Sequence, residues 1–214
     1  SSCSPQTGVA EGTALITVTT DDGAFMAKCT VTVTDVNKPA QAEDGYYEIA
    51  TAGQLKWFAD EVNSGKPELN ARLTADIDLS GVCSAAVPWT PIGDQANNQD
   101  YRGTFDGQGH PIAANVGRAG IFGGIGETPT IKNTHFEFTF ADKDKNCSGL
   151  AWNTWTNYKG WRATLSNLYI TTTNYYDHSY ALFEARFNSL TMNDIYVKLT
   201  LDPSFGEVTA ATEE

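Results

Sequence analysis

Three of the five tryptophans fall within one ten-residue segment, residues 152–161. Flat aromatic faces with amide, hydroxyl and ammonium groups beside them can stack on sugar rings and hydrogen-bond to their hydroxyls. A second aromatic cluster begins at residue 175. The alternative is that these rings pack on a neighbouring part of the fold as a small local core. The pattern therefore predicts ligand contact, or local burial, for Trp152, Trp155, Tyr158, Trp161, Tyr175 and Tyr176.

The other polar residues are weaker candidates for chemistry. Asp76 and Asp78 alternate onto one face of a predicted strand and are a weak calcium candidate, because no calcium-loop pattern supplies a third ligand. The histidines at 110, 135 and 178 have no metal-ligand spacing, and no nucleophile pattern accompanies His110. We expect no cofactor, and the strand-borne acids are too sparse to make catalysis the leading prediction.

Composition limits the partners. The chain has 214 residues and a formal net charge of −12, which disfavours nucleic acid and anionic membranes. No apolar run is long enough to span a bilayer, so we expect no membrane insertion by this segment. The chain opens on serine rather than methionine, which is typical of a processed or trimmed chain, so the lack of a signal peptide says nothing about export.

One pattern repeats three times, in residues 130–136, 164–170 and 191–197. A second matched piece precedes each copy, in residues 119–122, 148–151 and 180–183. Paired short strands that recur at 20 to 50 residues indicate a stacked array whose units share one continuous core. The repeat therefore predicts successive coils of a parallel β-helix.

The aligned positions predict where each side chain lies. Ile131, Leu165 and Met192 share one apolar position and should stack in the core. Asn133, Asn167 and Asp194 share a polar position that suits a corner, because Asn and Asp tolerate left-handed backbone. The small residues Gly120, Gly149 and Ala181 should mark a place where backbone or a bulky neighbour comes close.

One amphipathic helix is predicted near the start of the repeats. Thr51 and Gln54 form a capping box, and Gly65 and Pro67 end the helix. The apolar residues fall at helical spacing and form one stripe: Leu55, Phe58, Ala59 and Val62. A stacked array exposes apolar ends, so we expect this helix to be an N-terminal cap on the first coil, with contacts to Ile77 or Phe105.

Residues 8–36 predict two strands, Thr13 to Thr20 and Phe25 to Thr34, joined by an Asp-Asp-Gly turn. The segment resembles the C-terminal part of a bacterial immunoglobulin-like domain of group 2, in its Gly12-Thr-Ala, its Asp-Gly turn and its Ala27-Lys-Cys-Thr-Val-Thr-Val run. Such a sandwich has about 100 residues and seven strands, so the resemblance implies a partial domain. Residues 37–45 are polar, without hydrophobic period, and are interpreted as a linker.

Residues 46–136 resemble right-handed β-helix modules of bacterial surface proteins with the glycine-rich GLUG element. The motifs are Tyr47-x-Ile-x-Thr-Ala-x-Gln-Leu55, Leu73-Thr-x-Asp-Ile-Asp-Leu79, Trp89-x-Pro-Ile-Gly93, Gly103-Thr-Phe-Asp-Gly-Gln-Gly-His110 and Gly120-Ile-Phe-Gly123. The resemblance implies a secreted or surface-exposed accessory or adhesion module without known chemistry.

The sequence therefore predicts an all-β chain, a helix-capped right-handed parallel β-helix preceded by a partial immunoglobulin-like segment. The expected domains are residues 1–36, a linker at 37–45, and the β-helix at 46–214. The expected function is a non-catalytic extracellular module of the bacterial surface, for adhesion or contact with host or dietary glycans or surface proteins. The alternatives are a structural stalk or spacer, and a polysaccharide lyase or hydrolase.

Overall fold

The computed structural model describes most of the chain: residues 12–20, 23, 25–33, 37–84, 87, 89–93, 97, 99–116, 120–126, 128–140, 147–152, 162–175, 179–180, 183–184 and 189–201. The chain divides into two compact units, residues 1–38 and 39–214. Within the described ranges the protein is mostly β-strand and has one α-helix. The expectation of a β-rich chain is therefore confirmed.

The first unit contains an antiparallel hairpin. Strands β1 (Gly12–Thr19) and β2 (Met26–Val33) pair along their whole length. Gly23 takes a φ of 68° in the connecting turn, a conformation that glycine adopts without steric cost. The two predicted strands are confirmed, and of the predicted Asp-Asp-Gly turn only Gly23 lies within the described residues. The resemblance of this hairpin to an immunoglobulin-like domain stays a prediction.

The second unit holds the remaining elements. Its helix, α1, spans Ala52–Asn63, and a short 3-10 helix spans Leu79–Gly81. Its strands in the described residues are β3 (Ala40–Gln41), β4 (Tyr46–Ile49), β5 (Asn70–Leu73), β6 (Ile77–Asp78), β7 (Thr104–Asp106), β8 (Pro111–Val116), β9 (Thr130–Phe140), β10 (Cys147–Ser148), β11 (Ala151–Trp152), β12 (Arg162–Tyr175), β13 (Ser179–Tyr180), β14 (Phe183–Glu184) and β15 (Ser189–Leu201).

One sheet contains nine strands. Seven of them lie in the order β15-β12-β9-β7-β5-β4-β3, and every pair except β3 with β4 is parallel. Strands β8 and β6 continue the sheet beside the second half of β9, also in parallel. Smaller parallel ladders join β10 to β13 and β11 to β14. Isolated bridges link Ile92 to Phe122 and Phe122 to Ala151. Successive stretches of chain thus lie side by side in the same order.

The register is the one that the repeat predicts. Leu165 pairs with Ile131 on one side and with Met192 on the other. Ile131 and Leu165 are fully buried, whereas Met192 is 49% exposed. The expectation that Met192 lies in the core is wrong, because β15 is the last strand of the described sheet and no described strand covers its far side.

The corner residues also behave as the repeat predicts. Asn133, Asn167 and Asp194 have φ values of 56°, 51° and 55°. The Asn167 Nδ2 donates to Asn133 Oδ1 at 3.0 Å, and the Asn133 Nδ2 donates to Asp106 Oδ1, also at 3.0 Å. The side-chain hydrogen bonds offset part of the strain of left-handed backbone in residues other than glycine. The corner is therefore a ladder of polar side chains across neighbouring strands.

Asp106 is the most buried member of this corner. Lys132 Nζ lies 3.2 Å from Asp106 Oδ2, and the Gln108 N–H donates to Oδ1 at 3.0 Å. Burial alone raises the pKa of Asp106, but the hydrogen bonds from Asn133, Gln108 and Lys132 outweigh it and hold the pKa below its usual value. Asp106 is therefore ionised at neutral pH.

Helix α1 covers part of the core, as the apolar stripe predicts. The residues of the predicted stripe are all fully buried: Leu55, Phe58, Ala59 and Val62. Thr51 Oγ1 accepts from the Gln54 N–H, and Gln54 Oε1 accepts from the Ala50 N–H, so the capping box forms one residue out of its usual register. The Phe58 ring packs edge-on against Tyr101 at 6.1 Å and Tyr47 at 6.4 Å. Those rings are its aromatic contacts, and the expected partners Ile77 and Phe105 belong to the same buried core.

Two further expectations concern the small residue at position 120 and the predicted linker at residues 37–45. Gly120 has a φ of 66°, and a Cβ there would lie 2.6 Å from the carbonyl oxygen of Gly149, so the predicted close backbone approach is confirmed at that position. Part of the predicted linker is ordered, because Ala40–Gln41 forms β3 against β4 and Pro39 is buried.

Candidate functional site

The outward side chains of β9, β12 and β15 form rows, because the parallel register sets equivalent residues side by side about 4.8 Å apart. One row is His135, Tyr169 and Tyr196. The His135 ring lies 4.6 Å from the Tyr169 ring at 73°, and Tyr169 lies 4.6 Å from Tyr196 at 2°. Tyr169 is 39% and Tyr196 53% exposed. We call these three residues the aromatic row.

The two tyrosines stack on each other. Parallel rings at 4.6 Å bury one face of each ring against the other. His135 meets the second side of Tyr169, so Tyr169 presents mainly its rim and its hydroxyl to solvent. Tyr196 is stacked on one side only among the described rings. The aromatic row therefore offers hydroxyl groups along its length and an open ring face at β15.

A second outward row is polar and charged. It runs through Asp78, Ala113, Glu137, Thr171 and Lys198 on five neighbouring strands. His135 joins the two rows, with Nε2 3.1 Å from Thr171 Oγ1 and Nδ1 3.5 Å from Glu137 Oε1. The Thr171 hydroxyl therefore hydrogen-bonds to a side chain of the aromatic row, and the Glu137 carboxylate lies beside the same ring.

A groove lies between this second row and a third. The third row contains Asn115, Thr139 and Thr173, and the hydroxyls of Thr139 and Thr173 are 2.8 Å apart. The groove has a volume of about 310 Å³ and crosses the strands. Its lining residues are Asp78, Ser80, Ala113, Ala114, Asn115, Glu137, Phe138, Thr139, Thr171, Thr172 and Thr173. Hydroxyl, amide and carboxylate groups thus face one open channel.

The charge in the groove is acidic. Its ionisable lining residues are Asp78 and Glu137, and Lys198 lies at the β15 end of the second row. The Ser80 N–H donates to Asp78 Oδ1 at 2.8 Å and, with the Ser80 hydroxyl, lowers the pKa of Asp78. Asp78 is therefore ionised at neutral pH, and the small side chain of Ala113 leaves the space between Asp78 and Glu137 open.

In the described part of the chain, the weak calcium candidates Asp76 and Asp78 do not form a shared metal site. Asp76 Oδ1 lies 2.7 Å from His110 Nδ1, while Asp78 caps the 3-10 helix through Ser80. No group of three or more His, Cys, Asp or Glu side chains among the described residues could hold a metal ion. The two carboxylates therefore have separate local partners rather than a shared ligand position.

The tryptophan and tyrosine residues singled out from the sequence are only partly described. Trp152 lies in β11 opposite Glu184, and Tyr175 lies in β12 opposite Leu201. Trp155, Tyr158, Trp161 and Tyr176 lie outside the described residues. Their role in ligand contact stays a prediction.

Apart from Asp78, which the sequence singles out only as a weak calcium candidate, the sequence prediction missed the residues of the groove and of the aromatic row. A signal for them was present, because His135, Tyr169 and Tyr196 occupy the same position of the aligned repeats. The prediction rests on the apolar positions of the repeat, whereas the aromatic residue stands at the sixth position of each copy. In a parallel sheet with this register, a repeated outward aromatic position becomes a continuous row.

Within the described residues no helix is long and apolar enough to cross a membrane. Neither the family models, nor the curated proteins, nor the solved structures give a match to this chain, so its function is argued from its own geometry.

Proposed function

We propose that residues 46–201 are coils of a right-handed parallel β-helix capped by α1. The supporting observation is that two separate sets of parallel strand pairs each join successive stretches of the chain in the same order. Phe105, Ile131, Leu165 and Met192 follow one ladder, while Ile92, Phe122, Ala151 and Phe183 follow another. Connections between parallel strands of one sheet are right-handed in about 98% of cases, which supports that hand here.

We propose that the chain is a non-catalytic extracellular module of a bacterial surface and contacts carbohydrate through the groove. The groove is the observation that carries this proposal. It crosses successive strands, so equivalent polar groups recur along it at the strand spacing of about 4.8 Å. A linear glycan presents hydroxyls at regular intervals, and a row of threonine hydroxyls and carboxylates is complementary to such a chain. The surface location rests on the resemblance of the sequence to surface modules.

The charge of the groove selects among glycans. Asp78 and Glu137 are both acidic, and the chain carries a net charge of −12. Uronic-acid polymers and sulfated glycans would meet like charge. The expected ligands are therefore neutral glycans or glycans with free amino groups, whose ammonium would be attracted to Glu137.

Titration calorimetry with neutral, amino-bearing and uronic-acid oligosaccharides tests this proposal. The expected dissociation constants lie between about a micromolar and a millimolar, corresponding to roughly −8 to −4 kcal/mol. Thr171→Val removes one hydroxyl at nearly constant volume and should weaken binding about twofold to tenfold. Glu137→Gln should weaken binding of the amino-bearing ligand more than that of the neutral one.

Two controls separate the groove from other surfaces. Asp60→Asn makes the same carboxylate-to-amide change on the exposed side of α1 and should leave binding unchanged. Trp155→Ala tests the aromatic segment predicted from the sequence. Binding that depends on Trp155 and not on Thr171 or Glu137 would assign the contact to that segment. The absence of binding by every glycan class would reject the carbohydrate proposal.

A structural stalk is the second candidate, and one observation favours it. Tyr169 and Tyr196 stack on each other, and the Asn133–Asn167 hydrogen bond links two strands, so part of the outward polar surface ties coils together. A stalk needs such internal ladders and no ligand. It would show high mechanical resistance without a glycan response, which force spectroscopy on a tandem fusion would measure.

A hydrolase or lyase is the third candidate. Asp78 and Glu137 lie in one row two strands apart, a Cα separation of about 9.6 Å, near the upper end of the carboxyl spacing of inverting glycosidases. Such an enzyme also needs a protonated acid, whereas the pKa of Asp78 is lowered and Glu137 is exposed. Release of reducing ends from a polysaccharide, abolished by Glu137→Gln, would establish this activity in place of simple contact.

A further inference from the structure

Among the described strands, β15 has a neighbour on one side only, which is β12. Three large apolar side chains of β15 are exposed: Met192 at 49%, Tyr196 at 53% and Leu199 at 43%. The residue equivalent to Met192 in β12, Leu165, is fully buried because β15 covers it. Strand β15 is thirteen residues long, and an edge strand of this length can act as a template for another strand through the backbone N–H and C=O groups of its outer side.

The charges on this edge are self-complementary. Asp194 and Lys198 lie two residues on either side of Tyr196. If two copies of β15 pair antiparallel about a two-fold axis at Tyr196, each Asp194 faces the second copy's Lys198. The same register sets Ile195 opposite the second copy's Val197, both half-buried positions on the core side. An isologous interface requires that a surface match itself under a two-fold rotation, and this strand does so.

The left-handed backbone at Asp194 limits how many residues of β15 can pair with a second copy. Asp194 has a φ of 55°, so the strand turns there and can follow a straight partner only as far as that residue. Pairing from 194 to 198 ends at the corner of each copy. The open face of Tyr196, stacked only on Tyr169 among the described rings, then meets its counterpart at the axis.

We propose that a second copy of this chain binds the β15 edge, antiparallel, with Tyr196 on the two-fold axis and two Asp194–Lys198 ion pairs. Only five residues from each copy pair, so the dimer is a weak one that forms in the roughly micromolar to millimolar range. It continues the sheet from one copy to the other and doubles the number of grooves in one particle.

Sedimentation equilibrium of the full chain over a range of concentrations tests this proposal. The wild type should show a monomer–dimer equilibrium. Lys198→Asp sets like charges together at both pairs and should weaken the dimer at least tenfold, as should Asp194→Lys. Equal amounts of these two variants should form a heterodimer, because mixing restores both opposite-charge pairs. Tyr196→Asp places two carboxylates at the axis and should also prevent dimerisation.

Thermal unfolding verifies that each variant is folded, which matters most for Asp194→Lys because of its left-handed backbone. Lys28→Asp makes the same charge reversal in the β1–β2 hairpin and should leave the dimer unchanged. A chain that stays monomeric at millimolar concentration overturns the proposal. A dimer that survives both Lys198→Asp and Tyr196→Asp overturns it equally, because it must then use another surface.

Discussion

The side-chain amide of Asn167 donates a hydrogen bond to the side-chain oxygen of Asn133 at 3.0 Å, across two parallel strands. Both residues hold left-handed backbone at the same corner of successive repeats. This hydrogen bond thus depends on the left-handed turn in each strand and on the register between the strands, because it forms only when the two turn residues lie side by side. It explains why Asn recurs at this position of the repeat.

Two replacements of Asn167 separate the contribution of its side-chain hydrogen bond from that of its left-handed backbone. Asn167→Gly removes the hydrogen bond but tolerates a φ of 51°, whereas Asn167→Ala removes the bond and also strains the backbone. We expect the alanine variant to be less stable than the glycine variant by about 1–2 kcal/mol. Urea unfolding of both variants measures the difference. Equal stability would show that the left-handed conformation carries no cost here.

Leu165 and Met192 provide a matched pair at one position of the repeat. Leu165→Ala should destabilise the protein by about 2–5 kcal/mol, because the side chain is fully buried and leaves a cavity. Met192→Ala should cost less than about 1 kcal/mol, because that side chain is half exposed in the end strand. Denaturant unfolding compares them. Similar losses for both variants would contradict the stacking order.

Helix α1 makes a third prediction. Phe58 is fully buried between Tyr47 and Tyr101, so Phe58→Ala should destabilise the second unit by about 3–5 kcal/mol. Lys56→Ala, on the exposed side of the same helix, breaks only a surface ion pair with Asp60 and should change stability by no more than about 0.5 kcal/mol. If Phe58→Ala unfolds at the wild-type midpoint, α1 does not stabilise the core.

Asp106 predicts a dependence of stability on pH. Its pKa is lower in the folded chain than in the unfolded one, so the ionised form binds Asn133, Gln108 and Lys132 only after folding. This stabilisation is fully present above the unfolded pKa of about 3.9 and is lost as pH falls through the lower folded value. Melting temperatures measured from pH 7 to pH 2 should fall less steeply for Asp106→Asn than for the wild type. Asp60→Asn is the control, and parallel curves for all three proteins would exclude the role of Asp106.

The sequence predicts the register of β9, β12 and β15 well and that of the earlier strands poorly, for a definable reason. The alignment of Ile131 with Leu165 succeeds because β9 and β12 have the same corner length. Strands β7 and β8 both pair with β9, with Asp106 opposite Lys132 and Pro111 opposite His135. Four residues separate Asp106 from Pro111, whereas two residues separate Lys132 from His135. The Gly107–His110 turn thus hides one copy of the repeat from a simple alignment.

The groove could not be predicted before the register was known. Glu137 and Thr171 are 34 residues apart and become neighbours only because β9 and β12 pair in parallel. Asp78 joins them through β8, whose alignment is hidden by the same turn. The tryptophan segment stands out in the sequence by its composition, but composition alone gives no register from which neighbouring residues follow. In a parallel sheet, which residues become neighbours depends on how the strands pair and not on their spacing along the chain.

Amide chemical-shift mapping of the labelled chain with the tightest-binding glycan tests the central claim most directly, namely that carbohydrate lies in the groove. The predicted result is a set of saturable shifts confined to the outward rows, at Glu137, Thr139, Thr171 and Thr173 and in the neighbouring aromatic row. The β1–β2 hairpin should show no change. Shifts confined to the indole signals of the tryptophan segment, or no saturable shift with any glycan, would contradict the claim.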